Sequence, residues 1–126
     1  MRILWAAAAS AALALAPVAA FTTPKRADFI TEPASYPNPF DSRTGRATLR
    51  WRLAEDFPAE LSVYTVFGVR VLRRSYAAGA VGGRAGLNEV TWDGTNETGR
   101  KLGKGIYLAA LRAGGDVLVL KVGVRH

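Results

Sequence analysis

Asp93, Asn96 and Glu97 crowd three oxygen donors into five residues, a density of hard ligands that a cation could use. A calcium loop, however, sets its donors at alternating positions and closes them with a bidentate acid, and this spacing does not match. Glu55 and Asp56 form the other close carboxylate pair. As neighbours in a turn they point apart, whereas acid–base work needs two carboxyls facing one substrate. His126 is the only histidine and the last residue, and the chain has no cysteine. Neither a Ser-His-Asp nor a Cys-His arrangement can be assembled from it, and Cys/His metal sites are excluded. The glycines of residues 79–86 lack the Gly-Lys-Ser/Thr ending of a phosphate-binding loop, and Gly103-Lys104-Gly105 is followed by Leu108 where a dinucleotide fingerprint needs its third glycine. The expectation is a non-enzymatic protein with no catalytic, cofactor-binding or metal-binding residue.

Any such site would have to be held by a folded domain, and the first twenty residues read as a segment outside it. Met1-Arg2 is a short positive start, residues 3–15 are an uncharged apolar run, and Pro17 precedes the small residues Val18-Ala19-Ala20. These are the parts of a secretory signal peptide, and cleavage is expected after Ala20. An uncleaved anchor is the competing reading, because about 20 apolar residues span a bilayer. Membrane contact is thus expected only through this segment. Without cysteines, an exported domain has no disulfide and no lipidated cysteine, and must be held by an ordinary core. The formal charge of +7 comes from 17 bases against 10 acids. The bases are scattered, with Arg70, Arg73 and Arg74 the closest group, so they read as solvated strand faces rather than a nucleic-acid surface.

Residues 21–35 are polar, contain Pro24 and Pro33 and show no apolar period, so they read as a flexible arm. Beyond them the period is 2. Ala47, Leu49, Trp51 and Leu53 alternate with polar residues, as in a half-buried strand. Residues 60–67 form a second strand, interrupted by Gly68 before 69–72, which predicts a hairpin. Residues 76–86 are mostly Ala and Gly and read as a surface loop outside the core. Strands follow over 87–92, 106–112 and 116–124, the last two joined by the hairpin dipeptide Gly114-Gly115. The prediction is an all-β protein, an Ig-like antiparallel sandwich of about seven strands over residues 36–126.

Several residues then match a known pattern. Tyr36-Pro37-Asn38-Pro39-Phe40, Val63-Tyr64-Thr65 with Gly68 and Val71, Trp92-Asp93-Gly94, Gly99-Arg100 and Gly105-Ile106-Tyr107 together resemble the Ig-like domain of flagellar hook-capping (FlgD-type) proteins. They look equally like the C-terminal sorting domains of bacterial proteins exported by the type IX route. The resemblance covers residues 36–124. The residue chemistry gives these positions structural roles: Trp92 buries a ring, Asp93 bonds the turn it opens, Gly94 and Gly99 suit positive φ, Gly105 permits close backbone approach, and Tyr107 fills core with its hydroxyl at the rim. Thr65 stands where many family members carry aspartate.

The resemblance implies an exported structural or interaction module of the bacterial envelope or extracellular space, working through protein partners. Family members usually end a larger chain, so a flagellar role is not carried over. Edge-strand pairing is the expected mode, with residues 117–124 the expected donor or acceptor. The final Leu120-Lys121-Val122-Gly123-Val124-Arg125 resembles a type IX ending, which makes a stand-alone or remnant sorting domain the alternative. A carbohydrate-binding module is the third reading, with Tyr64, Tyr76 and Trp51 as candidate aromatics, although Trp51 is in phase with the core.

Overall fold

A computed structural model describes residues 29–126. The signal segment and its cleavage point after Ala20 lie outside the described residues. Eight strands follow in order: β1 (Ile30–Tyr36), β2 (Phe40–Asp41), β3 (Ala47–Leu53), β4 (Ala59–Thr65), β5 (Arg70–Tyr76), β6 (Gly86–Trp92), β7 (Gly105–Ala113) and β8 (Asp116–Arg125). They form a three-stranded sheet, β1-β3-β6, packed on a five-stranded sheet, β2-β8-β7-β4-β5. Every pairing is antiparallel except the short β2–β8 contact. The chain is an all-β, Ig-like sandwich.

The period-2 alternation fills the space between the sheets. Ala47, Leu49, Trp51 and Leu53 of β3 are buried and face Leu61 and Val63 of β4, Tyr107, Ala109 and Leu111 of β7, and Val122 and Val124 of β8. At about 25 cal/mol per Å2 of apolar surface, each large side chain buried here stabilises by roughly 1.5–3 kcal/mol. Phe40, Trp92 and Tyr107 form an edge-to-face row, with ring centroids 5.9 Å and 5.8 Å apart. That geometry adds the quadrupole attraction of tilted rings to their area burial.

Two expectations are corrected. Residues 30–35, expected to belong to a flexible arm over 21–35, are strand: from Ile30 the chain is β1, in register with β3 from Ile30 opposite Leu53 to Tyr36 opposite Thr48. Its period is hidden by an irregularity between Thr31 and Ala34, where Glu32 takes φ +54° beside Pro33. An edge strand tolerates both, because its outer backbone groups feed no ladder. The loop over residues 77–85 is also no mere surface loop, since Gly82 and Gly83 are buried.

Candidate functional site

The motif residues converge at one end of the sandwich, around the connection from β6 to β7. Trp92 closes β6 in the inward phase and is fully buried; its indole N–H donates to the Thr95 carbonyl at 2.9 Å. Asp93 accepts from the Thr95 hydroxyl at 2.7 Å, and this bond holds its carboxyl below the usual carboxylate range. Asn96 Oδ1 accepts from the amides of Thr98 and Arg100 and from the Thr98 hydroxyl. Gly99, at φ +87°, completes that turn. The Lys101 ammonium spans two segments, donating to the carbonyls of Ser42 at 2.7 Å and Asp93 at 2.9 Å. Gly94 packs where a Cβ would stand 2.9 Å from the Ser42 Cβ. Tyr107 donates its hydroxyl to the Gly103 carbonyl at 2.8 Å.

Several polar groups of this end serve the turns themselves. Asp93 accepts through one carboxylate oxygen and Asn96 through Oδ1, whereas Glu97 contributes its backbone amide to the Val71 carbonyl at 3.1 Å and its carboxylate has no hydrogen bond among the described residues. Among the described residues no three His, Asp or Glu side chains converge as a metal would require. Gly105 is corrected in its role: nothing stands within 4 Å of a Cβ built there, so its φ of +150° rather than close approach calls for glycine.

Tyr36-Pro37-Asn38-Pro39 lies across the end of β8. Asn38 donates Nδ2 to the Lys121 carbonyl at 2.9 Å and accepts the Gly123 amide at 2.8 Å, an amide side chain acting as one more rung of the sheet. Tyr36 reaches over β3 within its own three-stranded sheet and donates to Glu89 of β6 at 2.8 Å, an interaction that pushes its phenol pKa up. Thr65 accepts from the amides of Phe67 and Val69 at 3.2 Å each. A hydroxyl thus closes the β4–β5 turn as a carboxylate would.

Asn88 opens the motif segment that runs to Gly94, but sequence reasoning gave it no role of its own. It is fully buried in β6, and its Oδ1 accepts from the amides of Gly82 and Arg84 while Nδ2 donates to the carbonyls of Arg84 and Gly86. The glycine-rich loop thus turns its amides inward on Asn88 rather than outward on a phosphate. Asp56 holds the same loop from outside by accepting the Ala85 amide at 2.7 Å. The signal was present in the alternation, since Asn88 shares the inward phase of Val90 and Trp92.

A cleft of about 490 Å3 opens at the opposite end, lined by residues that include Glu60, Arg73, Ser75, Tyr76, Arg112 and Asp116. Arg73 pairs with Glu60. The Tyr76 hydroxyl is buried without a hydrogen-bond partner, and its burial raises its pKa. Of the aromatics considered for sugar binding, Trp51 is fully buried and Tyr64 and Tyr76 are partly so.

Two solved structures share this architecture. One is described as PorZ, an essential bacterial surface component of the type IX secretion system of Porphyromonas gingivalis, 15% identical over 75% of this chain with a TM-score of 0.52. The other is dimeric latent PorU from the same organism, 24% identical over 73% of this chain with a TM-score of 0.54. The likeness shows a common fold. It spans 11% of the PorZ chain and 9% of the PorU chain, so this domain corresponds to about a tenth of either protein. No family model matches the chain, and no curated protein does.

The most exposed apolar side chains lie on the turn that Thr65 closes. Phe67 is 89% exposed, with Val66 and Val69 beside it. On the outer face of the five-stranded sheet, Ile106, Val117 and Val119 are also about half exposed. Asn88, Asn96 and Asp93 thus turn polar groups toward the loops they hold, and the surface outside combines exposed charged side chains with strand faces, strand edges and an apolar hairpin tip.

Proposed function

We propose that this chain is an exported, non-enzymatic interaction module of the bacterial cell envelope or extracellular space, an Ig-like domain of the hook-capping type that acts in a secretion-related protein assembly. The observation that carries the reading is the fold shared with PorZ, a surface component of a secretion system, over three quarters of the chain. The signal-like N-terminus supports export. The commitment of Asn88, Asn96 and Asp93 to their loops supports binding over catalysis, because a catalytic site needs positioned groups free to meet a substrate. Its partner is a protein, met through strand edges or the exposed apolar residues.

The test is fractionation of cells into secreted, outer-membrane and periplasmic material, followed by cross-linking of the exported protein. Recovery outside the cytoplasm in a discrete cross-linked complex is expected. A cytoplasmic monomer with no cross-linked product would overturn the reading.

A stand-alone type IX sorting domain is the second reading. It is favoured because the likeness covers a segment of about a tenth of each neighbour, as an appended domain would. Residues 21–126 fused behind a reporter should then carry it across the outer membrane, and a reporter retained in the periplasm would dispose of this alternative.

A further inference from the structure

A sandwich of two open sheets exposes four edges, and an edge is where another chain adds. Two of them are interrupted or covered here, and a third is partly occupied. On β1, Glu32 and Pro33 break the regular outer row, and the Ile30 amide donates to Asp116 at 3.2 Å. On β6, Arg84 donates to the Leu87 carbonyl at 3.3 Å and Arg74 to the Thr91 carbonyl at 2.9 Å, which occupies two carbonyls of a row that also presents the acidic Glu89. On β8, the strand expected from sequence to be the pairing edge, Asn38 takes the Lys121 carbonyl and the Gly123 amide, and β2 pairs with Val124 and Arg125. β1 runs beside the rest of β8, tied to it at Ile30 and Asp116.

The fourth edge is β5. In antiparallel strands the residues that bond inward alternate with those that point outward. Lys121 and Gly123 bond Asn38 on the outer side of β8, so Leu118, Leu120 and Val122 bond β7. Carrying that alternation across the β7–β4 and β4–β5 registers places Leu72, Arg74 and Tyr76 in bonded pairs with Val63, Leu61 and Ala59. The amides and carbonyls of Arg73 and Ser75 therefore point away from the sheet. Only the Val71 carbonyl on this edge is taken, by the Glu97 amide.

The edge is basic. Arg70, Arg73 and Arg74 lie within β5, and Arg73 and Ser75 also line the cleft. Across the cleft Arg112 forms no ion pair among the described residues, while the Asp116 carboxylate is held by the amides of Ile30 and Val117. The buried, unpartnered Tyr76 hydroxyl belongs to the same wall. We propose that the β5 edge takes up an extended acidic segment of a partner protein as an added strand, with acidic side chains on its outer face meeting Arg73 at the rim of the cleft, whose field Arg112 strengthens from β7 while Glu60 lies between the two arginines. This rests on the interaction-module reading above. Backbone bonds to Arg73 and Ser75 supply register, and the cleft selects the charge of alternate side chains. A second copy does not suit the edge, because β5 against β5 would set arginines opposite arginines.

The test uses the exported full-chain protein and two blocked octapeptides, Thr-Glu-Val-Glu-Val-Glu-Val-Thr and its counterpart with lysine in place of glutamate. The acidic peptide should slow hydrogen exchange at the Arg73 and Ser75 amides. Arg73→Glu and Arg112→Glu should each weaken its binding by about tenfold, while Lys121→Glu on β8 changes it by less than about twofold. Thermal unfolding of each variant confirms that it is folded; Arg112→Glu leaves the Arg73–Glu60 pair intact and stands if Arg73→Glu does not fold. Unchanged exchange at Arg73 and Ser75, protection confined to β6 or β8, equal binding of the lysine peptide, or self-association through β5 would each overturn the proposal. If these fail while the exported protein still cross-links to an envelope protein, the edge assignment falls and the broader reading stands.

Discussion

The indole N–H of Trp51 reaches 3.2 Å to the carbonyl of Gly82, joining a core ring of β3 to the middle of the glycine-rich loop 31 residues later. With Asn88 beneath it, that bond converts a stretch without large side chains into a fixed wall of the core. The ring of Tyr76 closes the same corner, its centroid 6.1 Å from that of Trp51. Asn88→Ala strands several loop amides and carbonyls and should lower unfolding free energy by about 2–4 kcal/mol, since each buried group left unpaired costs roughly 1–3 kcal/mol. Asn88→Asp keeps the acceptor and loses the donor, so it should fall between wild type and alanine above the aspartate pKa. Urea unfolding of the three proteins measures this order.

Gly94 can be tested by a single methyl. Its φ of +82° and the Ser42 Cβ 2.9 Å from any added Cβ both oppose a side chain. Gly94→Ala should cost about 1–3 kcal/mol, the range for a residue forced into sparsely populated backbone, and lower the midpoint of thermal unfolding. Gly99→Ala, where nothing lies within 4 Å, should cost less because only the backbone preference is lost.

Thr65 gives a prediction with a sign. Its hydroxyl accepts two amides at the β4–β5 turn, so Thr65→Val should destabilise by about 1 kcal/mol, the usual net value of such hydrogen bonds. Thr65→Asp keeps a side-chain acceptor for both amides, and its stability should stay within about 0.5 kcal/mol of wild type, as for other surface changes. Thermal unfolding compares them, and faster exchange of the Phe67 amide should accompany valine alone.

Acid should loosen the seam where β2 meets β8. Asp41 accepts from the Arg43 side chain and amide, and these bonds hold its carboxyl at about 2, below its ordinary 3.8. A group with a depressed folded-state pKa contributes stability that is present above its unfolded value and is lost as pH falls through the folded one. Stability should therefore decline between about pH 4 and pH 2, with Asp93, also held low, adding to the slope. In Asp41→Asn the decline over that window should be shallower by urea titration.

Strand signals were most legible where one strand face is buried and the other solvated. Ala47, Leu49, Trp51 and Leu53 alternate in plain sight because core and water lie on opposite sides of β3, and Gly68 and Gly114-Gly115 mark turns by backbone preference alone. β1 was illegible for the same reason turned round. As an edge strand with an irregularity at Glu32, it need not alternate, and only β3 beside it makes it a strand. The motif around Trp92 and Tyr107 could be read as core and turn chemistry, but not the Lys101 bridge to Ser42, which joins residues far apart in sequence.

Amino-acid order by itself determined the fold class, the phase of each central strand and the absence of any disulfide, because these depend on residue type and local period. Only the tertiary structure decided which edges are open. Asn38 reaches the backbone of β8 and Arg74 that of β6, strands remote in sequence, and no local pattern carries that information. The likeliest-looking edge, the apolar β8, is covered by β1 and β2, while the arginine-bearing β5 keeps the amides and carbonyls of Arg73 and Ser75 turned outward. A hydrogen-bonding direction is a property of the assembled sheet, set by register across three neighbouring strands.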